Sequence, residues 1–268
     1  MSSFSIIGAG FIFDRHIQAI NEIGGKVVAV CDIDKSKKYK AGKVPFYTDY
    51  KKMLDEVYSN YVVICTPNHL HWEMINEAIR KHDRKVICEK PPIINNTQYL
   101  SLRNLKDLSI VLQCRYVPEL ARTFKSKKKV QMNIEVHRDD WYMKSWKADD
   151  KKSGGLLYNI GCHYFDLLGL WFGEARDAEI TNYTSRYIEG WIRYDNAFVD
   201  FVVSINAPID KQKRIIKVGK ETINLTQMGF ESLHTKVYQS IMAGEGYKLK
   251  DFKKTLNLIE MLYDSRKS

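Results

Sequence analysis

The sequence predicts an α/β protein with a doubly wound parallel sheet, followed by an α+β domain with an open, mostly antiparallel sheet. Up to about residue 115, short and nearly continuous apolar runs alternate with segments of helical spacing, which is typical of parallel strands buried on both faces. After Pro118 several runs alternate apolar with polar residues, as antiparallel strands do when one face is buried. A chain of 268 residues can form two such cores, so we expect domains at 1–115 and 116–268.

The elements of the first half follow from its apolar runs. Each run of three to five residues is too short for a helix and is followed by a turn or a helical pattern. We predict strands at 4–7, 27–31, 62–65, 86–88 and 110–113, with helices at 12–23, 69–81 and from about 97.

The second half has a different pattern, with most of its strands before its helices. No internal repeat and no low-complexity linker interrupts it. We predict strands at 129–137, 177–187, 190–193, 197–206, 214–218 and 221–225, with helices at 232–242 and 250–263.

Composition excludes several classes of function. The net charge is +10, but the lysines are dispersed and none lies on a recognisable nucleic-acid module, so we expect a mild field that attracts an anionic metabolite. No apolar run approaches the ~20 residues of a membrane helix, and the N-terminus enters a strand pattern directly. The five cysteines include no C-x-x-C pair, so we expect neither a disulfide framework nor a metal site. These observations favour a cytoplasmic protein.

A glycine-containing motif, G-A-G-F-I-F from Gly8 to Phe13, follows the first strand and opens the first helix. Gly8 allows a tight turn, and Gly10 lets backbone N–H groups approach a pyrophosphate. Phe13 stands where a third small residue is usual. Asp32 lies 22 residues after Gly10 (32 − 10), at the end of the second strand, where a carboxylate binds the adenosine ribose and disfavours a 2′-phosphate. The motif favours NAD over NADP; the alternative is a purely structural turn.

Two further motifs end neighbouring strands. Thr66-Pro67-Asn68 ends the third strand and Glu89-Lys90-Pro91 the fourth, at the carboxyl edge where ligands bind in such sheets. A cis Lys90-Pro91 bond would aim the lysine inward, where its charge can stabilise an alkoxide. The alternatives are an N-cap role for Asn68 and a surface turn at Lys90.

The stretch S-W-K-A-D-D-K-K-S-G-G-L-L-Y-N-I-G-C-H-Y-F-D, from Ser145 to Asp166, places a glycine pair before Asn159 and His163. A helix that begins near Leu157 puts these two side chains on one face, within reach of one small molecule. His163 can exchange a proton near neutral pH. The alternative is a glycine turn before a helix whose histidine is an ordinary, partly buried residue.

Taken together, these motifs resemble the Gfo/Idh/MocA family of NAD(P)-dependent sugar oxidoreductases in order and spacing, over nearly the whole chain. The stretch from Ser145 to Asp166 and G-F-E-S-L-H-T-K-V-Y-Q-S-I-M-A-G-E-G-Y, from Gly229 to Tyr247, resemble the branch of WlbA/WbpB-type nucleotide-sugar 3-dehydrogenases of polysaccharide and lipopolysaccharide biosynthesis. The resemblance implies a Rossmann domain that binds NAD and a second domain that binds the substrate and mediates oligomers.

The resemblance also implies the site residues. Lys90 and His163 match the catalytic lysine and histidine, and Asn159 stands where the family often has Asp. Gln113 and Arg115 match residues beneath the nicotinamide, and Trp146 and Lys147 match a motif of the branch. The implied cofactor contacts are Gly8, Gly10, Phe11, Ile12, Asp32, Ile33, Thr66, Pro67, Asn68, His71, Glu89, Lys90 and Gln113. The implied substrate contacts are Lys90, Arg115, Trp146, Lys147, Asn159 and His163.

The reaction implied is oxidation of the C3 hydroxyl of UDP-N-acetylglucosaminuronate or UDP-N-acetylglucosamine to a ketone. His163 is assigned as general base and Lys90 as charge stabiliser, and these roles could be exchanged. The branch also implies 2-oxoglutarate as an oxidant that recycles NADH, and a homodimer or homotetramer. Three alternatives stay open: another sugar or inositol dehydrogenase or ketoreductase of the family, a non-catalytic NAD- or sugar-binding protein, and a nucleic-acid-binding protein.

Overall fold

The computed structural model describes residues 1–226 and 232–267. The chain forms two compact units. The first contains Met1–Ile93, Thr97–Tyr116 and the described residues of 230–251, and the second contains Ile94–Asn96, the described residues of 117–229 and those of 252–268. The predicted motif from Gly229 to Tyr247 begins with Gly229, Phe230 and Glu231, which lie outside the described residues.

The first unit is built on a six-stranded sheet in which every neighbouring pair is parallel. The strand order is β3-β2-β1-β4-β5-β6. Because the order reverses between β1 and β4, a crevice opens at the carboxyl ends of these two strands. The strands are β1 (Ser3–Ile7), β2 (Lys26–Cys31), β3 (Phe46–Tyr47), β4 (Tyr61–Ile64), β5 (Lys85–Cys88) and β6 (Leu108–Ile110).

Helices alternate with the strands in the first half and continue through the second. Those of the described residues are α1 (Phe13–Glu22), α2 (Tyr50–Glu56), α3 (Asn68–Asn76), α4 (Asn96–Leu102), α5 (Asp140–Lys144), α6 (Asp150–Ser153), α7 (Cys162–Phe172), α8 (Leu233–Met242) and α9 (Leu249–Asp264). None of them is both long enough and apolar enough to cross a bilayer.

A core cluster of the first unit explains why a late segment of the chain returns to it. Val237, Tyr238 and Ile241 of α8 are buried in the same cluster as Phe4 of β1 and Phe13 of α1. The first unit contains Met1–Ile93 and Thr97–Tyr116 before the chain passes to the second unit. Its apolar core also includes α8, which lies after the predicted boundary at residue 115. That boundary stays a prediction.

The second unit contains a six-stranded mixed sheet with the order β12-β11-β7-β10-β9-β8. Its neighbours are antiparallel except for β7 and β10. On β10 the residues alternate between buried and exposed. The ring of buried Phe201 packs edge-on against that of Phe165 of α7, with the ring centroids 5.4 Å apart. The strands are β7 (Lys128–Glu135), β8 (Asp177–Tyr183), β9 (Tyr187–Arg193), β10 (Ala197–Ser204), β11 (Lys213–Val218) and β12 (Glu221–Asn224).

The predicted fold class is confirmed, with differences in detail. The fifth predicted strand, 110–113, is wrong in position: β6 ends at Ile110, and Gln113 begins a 3-10 turn that runs to Tyr116. The apolar residues that suggested a strand, Val111 and Leu112, are buried without extending the ladder. The two-residue strand β3 was not predicted. The predicted strand 177–187 is two elements, because β8 ends at Tyr183 and Tyr187 begins β9.

Candidate active site

In the turn after β1, the backbone at Gly8 lies close to the backbone at Cys65. Gly8 has φ +98°, and a Cβ added there would lie 2.8 Å from the carbonyl carbon and oxygen of Cys65. At Gly10 no heavy atom of the described residues lies within 4 Å of an added Cβ, so that backbone faces open space. A turn at Gly8 and a bare backbone at Gly10 are what a pyrophosphate at the start of α1 requires.

Asp32 joins the end of β2 to this turn. Its Oδ2 accepts a hydrogen bond from the backbone N–H of Ala9 at 2.7 Å, and its Oδ1 accepts one from the N–H of Asp34 at 2.9 Å. The residues on either side of the turn include two large apolar side chains in water: Phe11 is 84% exposed and Ile33 is 90% exposed. A bound dinucleotide would cover such side chains, so the turn, the carboxylate and these two residues fit NAD.

The third position of the glycine motif works differently from the usual small residue. Phe13 is buried in the first unit's core, and Lys40 lies over its ring with Nζ 5.4 Å from the centroid. The same Nζ donates to the carbonyl of Gly10 at 3.2 Å and pairs with Asp14 at 2.9 Å. Sequence reasoning missed Lys40, because its place in a 3-10 helix after β2 gives no motif that would identify it.

The loop after β4 carries Thr66, Pro67 and Asn68. The alternative role of Asn68 as an N-cap is wrong: α3 begins at Asn68 itself, and Pro67 is the residue before it, with no side-chain capping bond. Thr66 is half-buried, and its hydroxyl donates to the Met74 sulfur at 3.3 Å. The loop therefore lies at the carboxyl end of β4, beside the crevice between β1 and β4.

His71 connects the two loops at this edge. Its Nδ1 lies 2.7 Å from the carbonyl oxygen of Pro91, and its Nε2 lies 2.8 Å from that of Thr66. Burial lowers the pKa of His71, although both carbonyls favour the protonated ring. We take the ring as neutral. One ring nitrogen then donates a hydrogen bond to a carbonyl oxygen, and the other nitrogen, which carries no proton, faces the second carbonyl oxygen. His71 therefore contacts backbone atoms of the Thr66 and Pro91 loops.

Glu89 is the centre of a buried hydrogen-bond network. Its Oε1 lies 3.1 Å from His16 Nε2 and 3.0 Å from His234 Nε2. Tyr238 OH lies 2.8 Å from His16 Nδ1, so Tyr238 donates to His16 while both histidines donate to the carboxylate. Burial opposes the charge of Glu89, but the hydrogen bonds from the two histidines hold its pKa well below the usual value.

The same three groups have ligand atoms within 4.8 Å of one another, a spacing compatible with a metal ion. Two N–H donors sharing one carboxylate oxygen account for both distances without an ion. Sequence reasoning predicted Glu89 as a cofactor contact and did not single out His16 or His234, since residues 16, 89 and 234 are brought together only by the fold.

Lys90 follows Glu89 at the end of β5 and is half-buried. The Lys90-Pro91 peptide bond is cis, as the sequence suggested. Two residues of the turn after β6 share the unit: Gln113 is buried, and Arg115 is buried with its Nη2 donating to the carbonyl of Asp251 at 2.9 Å. The Arg115 guanidinium also lies 4.8 Å from the ring centroid of Tyr247.

In the second unit the glycine pair ends α6. Gly154 and Gly155 have φ of +80° and +82°, which favours glycine at both positions. A π-helical turn at Leu157–Gly161 follows and leads directly into α7. The predicted helix from near Leu157 is therefore present, with a wider first turn.

Asn159 and His163 lie on this turn and on the first turn of α7, and both are half-buried. The amide Nδ2 of Asn159 donates to the hydroxyl of Tyr142 at 2.7 Å. Tyr142 is buried on α5, so this bond fixes Asn159 against a rigid partner. Whether Asn159 and His163 bind one molecule stays a prediction.

Trp146 and Lys147 lie on a 3-10 turn, Trp146–Ala148, capped by the Ser145 hydroxyl. Lys147 Nζ lies 5.0 Å from the ring centroid of Trp141 and 5.9 Å from that of Trp146. Trp141 is half exposed and was missed by sequence reasoning, although its place five residues before Trp146 could have indicated it. A lysine held between two indoles provides an oriented cation with apolar walls.

The predicted site residues therefore fall into two sets. The first unit holds the glycine turn, Asp32, Lys90 and the loops around them, and the second holds Trp146, Lys147, Asn159 and His163. Each unit contributes a distinct chemical part: a dinucleotide turn with a lysine in the first, and a histidine with amide and cationic groups in the second.

Two family models match this chain. The Gfo/Idh/MocA model of an oxidoreductase family with an NAD-binding Rossmann fold matches residues 3–114, and the model of that family's C-terminal alpha/beta domain matches residues 124–201. The first match covers the glycine turn, Asp32 and Lys90, and the second covers Trp146, Asn159 and His163.

Solved structures and curated relatives give finer similarities. The WlbA (WbpB) dehydrogenase from Thermus thermophilus, in complex with NAD and alpha-ketoglutarate, is 31% identical, with a TM-score of 0.89 over 97% of this chain and 94% of that one. Its complex with NAD and UDP-GlcNAcA has the same identity and coverage and a TM-score of 0.88. Glucose-6-phosphate 3-dehydrogenase from Bacillus subtilis is 27% identical over 63% of this chain and 53% of its own length. This chain spans about half the length of that relative.

Proposed function

Because the chain belongs to the Gfo/Idh/MocA oxidoreductase family, we propose that it is an NAD-dependent dehydrogenase of a nucleotide sugar. The proposed reaction converts the C3 hydroxyl of UDP-N-acetylglucosaminuronate, or of UDP-N-acetylglucosamine, to a ketone for surface-polysaccharide synthesis. The observation that carries this proposal is the near full-length similarity, at 31% identity, to a dehydrogenase solved with NAD and UDP-GlcNAcA. Lys90, Asn159 and His163 provide the side chains that such an oxidation needs.

The first unit is an NAD-binding Rossmann domain, and its residues fit the dinucleotide. The open backbone at Gly10 would hold the pyrophosphate, Asp32 the adenosine ribose, and exposed Phe11 and Ile33 would cover its apolar faces. When bound, NAD accepts the hydride from the sugar carbon.

The remaining chemistry belongs to the chain. We assign His163 as the base that takes the hydroxyl proton and Lys90 as the cation that stabilises the negative charge forming on that oxygen. Asn159, held by Tyr142, keeps hydrogen-bonding capacity at the substrate without adding a second charge beside the histidine. The roles of Lys90 and His163 in the proton transfer could be exchanged.

A second candidate stays within the same family. The similarity to glucose-6-phosphate 3-dehydrogenase favours a sugar phosphate as substrate, with the same hydride and proton chemistry. The substrates of both candidate functions carry a phosphate, so the positive net charge of the protein suits either substrate. A non-catalytic NAD-binding role is less well supported, since a sensor needs neither Lys90 nor His163.

The experiment that separates these functions begins with the purified protein. We would denature a portion, identify any released dinucleotide, and incubate the native protein with NAD and a panel of UDP-sugars, glucose 6-phosphate and inositol, each with and without 2-oxoglutarate. We expect a UDP-sugar to form a keto sugar, with 2-oxoglutarate consumed if NADH stays bound. Turnover of glucose 6-phosphate or inositol alone would replace the nucleotide-sugar proposal, and no turnover of any compound would refute both.

A further inference from the structure

Two arginines of the second unit have no carboxylate partner among the residues that the structure describes. Arg138 follows β7, and Arg214 is the second residue of β11, where it pairs with Ile134 of β7. Both side chains are half-buried. Burial and then the positive charge of Arg214 lower the pKa of Arg138, while the hydroxyls of Tyr142 and Tyr164 and the Asp139 carboxylate act in the opposite direction.

Within the described part of the chain, one acceptor binds the guanidinium of Arg138. Its Nη1 donates to the carbonyl oxygen of His137 at 2.7 Å. The nearest carboxylate in sequence, that of Asp139, instead binds His137 Nε2 at 2.5 Å. Among residues 1–226 and 232–267, no carboxylate oxygen lies within 4.0 Å of the guanidinium nitrogens of Arg138 or Arg214.

Arginines elsewhere in the same unit show the contrast. Arg176 and Arg193 are exposed, and each holds a carboxylate, at 2.6 and 3.1 Å respectively, while half-buried Arg122 holds one at 2.7 Å. Surface pairs of this kind contribute little stability, whereas a half-buried cation without a partner is costly. The less favourable arrangement therefore occurs at the pair Arg138 and Arg214, where an anion from outside the chain would remove its cost.

The surroundings of Arg138 connect it to the proposed substrate side. Arg138 lies four residues before Tyr142, and the hydroxyls of Tyr142 and Tyr164 act to raise its pKa. Tyr142 accepts the hydrogen bond from Asn159, and Tyr164 is adjacent to His163 in the chain. Arg138 is thus connected through Tyr142 to Asn159, which we assign to the sugar.

We propose that Arg138, supported by Arg214, is the subsite that binds an anionic oxygen group of the substrate, a carboxylate or a phosphate. This inference rests on the proposed function and makes the substrate class more specific. A guanidinium binds either group through two parallel hydrogen bonds, and a second arginine adds to the positive potential. In UDP-N-acetylglucosaminuronate the group is the uronate carboxylate or the diphosphate, whereas UDP-N-acetylglucosamine has only the diphosphate.

The test compares Arg138→Gln, Arg138→Lys and Arg214→Gln with Arg176→Gln, a control that removes the same charge from an arginine paired with Asp195. We would measure kcat and KM with UDP-N-acetylglucosaminuronate and UDP-N-acetylglucosamine. Since a hydrogen bond to a charged group contributes about 1.5–3 kcal/mol, Arg138→Gln should raise KM by about tenfold or more, and the control by less than twofold. Arg138→Lys should recover part of the loss.

The two sources of the anion give different results. If the carboxylate is bound, Arg138→Gln raises KM for the uronate alone and removes the preference for it. If the diphosphate is bound, KM rises by the same factor for both sugars, and inhibition by UDP weakens by that factor too. Unchanged KM for both sugars would overturn the proposal.

Two measurements keep the inference separate from the proposed reaction and from a structural role. If the wild-type protein oxidises no UDP-sugar, the Tm shift caused by UDP, glucuronate or 2-oxoglutarate still reports the subsite; a shift that Arg138→Gln leaves unchanged would overturn it. Without ligand, Arg138→Gln should keep or raise Tm, because it removes a repulsion. A clear fall in ligand-free Tm would mean that the guanidinium is an internal structural group, which would also overturn the proposal.

Discussion

The carboxylate of Asp32 accepts a hydrogen bond from the backbone N–H of Ala9 at 2.7 Å, so the residue that we propose binds the adenosine ribose also holds the glycine turn. Two functions therefore depend on one side chain. A substitution at residue 32 changes both the charge facing the cofactor and the geometry of the turn, and the two effects need different replacements to separate them.

Replacing Asp32 tests this double role. Asp32→Ala removes the charge and the acceptor for Ala9, so we expect weaker binding of NAD and a smaller preference for NAD over NADP. Asp32→Asn keeps an oxygen for Ala9 but no charge, so it should reduce the preference with less loss of NAD affinity. Titration of each variant with both dinucleotides measures the ratio, and a ratio equal to the wild-type value in both variants would contradict the ribose role.

The two glycines of the turn should respond differently to alanine. Gly8→Ala places a Cβ 2.8 Å from the Cys65 carbonyl at a positive φ, so we expect a loss of about 2 kcal/mol or more in the free energy of unfolding. Gly10→Ala meets no described atom, so its stability should change by less than about 1 kcal/mol while NAD binding weakens. Urea unfolding and NAD titration of both variants provide the comparison, and equal stabilities would refute it.

The buried histidines predict how stability depends on pH. Burial lowers the pKa of His16 below 6.5, and also that of His71, so the unfolded chain binds protons first as the pH falls. The free energy of unfolding should therefore fall below about pH 6.5, by up to about 1.4 kcal/mol per pH unit for each histidine. The depressed pKa of Glu89 acts at more acidic pH, below about 4.5, where its stabilising contribution is lost. Urea unfolding between pH 7 and 5 isolates the histidines.

His16→Asn should reduce this slope, and His137→Asn serves as the control. Hydrogen bonds from the His137 ring to the Ala207 carbonyl and to Asp139 raise the pKa of His137, so its contribution is lost as the pH rises and has the opposite sign. Removing His137 should therefore leave the acid-side loss intact or steeper. A wild-type stability that is flat between pH 7 and 5 would show that these rings are not held neutral.

Lys90 and His163 are expected to act on turnover more than on cofactor binding. Lys90→Ala and His163→Ala should each lower kcat by about 10²- to 10⁴-fold, the usual contribution of a positioned acid or base, with the Kd of NAD within a few-fold of wild type. Lys85→Ala, at the exposed start of β5, the strand that precedes Lys90, is the control. Near-normal kcat in both variants would remove these residues from the mechanism.

Asn159→Asp tests why this position is uncharged. A carboxylate four residues before His163 would favour the protonated ring, so the acid limb of the kcat profile should move to higher pH, by about one unit. Asn159→Ser lacks the charge and should lower kcat without this shift. An unchanged profile in Asn159→Asp would mean that His163 is not the group titrating in kcat.

Local patterns were sufficient to predict both sheets. Alternation along β10 and continuous apolar residues along β4 and β5 reflect burial on one face or two, which a sequence records directly. Strand β3 left no comparable signal, because two residues cannot show a period. Because Val111 and Leu112 are apolar, the sequence suggested a strand at 110–113, whereas the backbone ends β6 at Ile110 and buries these two residues outside the strand.

The site was predictable where motifs are contiguous and not where tertiary contacts build it. The glycine turn, the cis proline after Lys90 and the helix containing His163 could be predicted from neighbouring residues. The network around Glu89 joins positions 16, 89 and 234, and the lack of a carboxylate partner for Arg138 among the described residues is recognisable only from the structure. Such arrangements depend on distances that no sequence spacing encodes.

The return of α8 to the first unit has a consequence for synthesis on the ribosome. At 5–20 residues per second, roughly 6 to 24 s separate the emergence of residue 116 from that of His234. During that interval the nascent dinucleotide domain lacks Tyr238 and His234, so the Glu89 carboxylate has only part of its hydrogen bonds and Phe4 part of its apolar cover. The dinucleotide domain therefore cannot complete this core and this hydrogen-bond network until most of the polypeptide has been made.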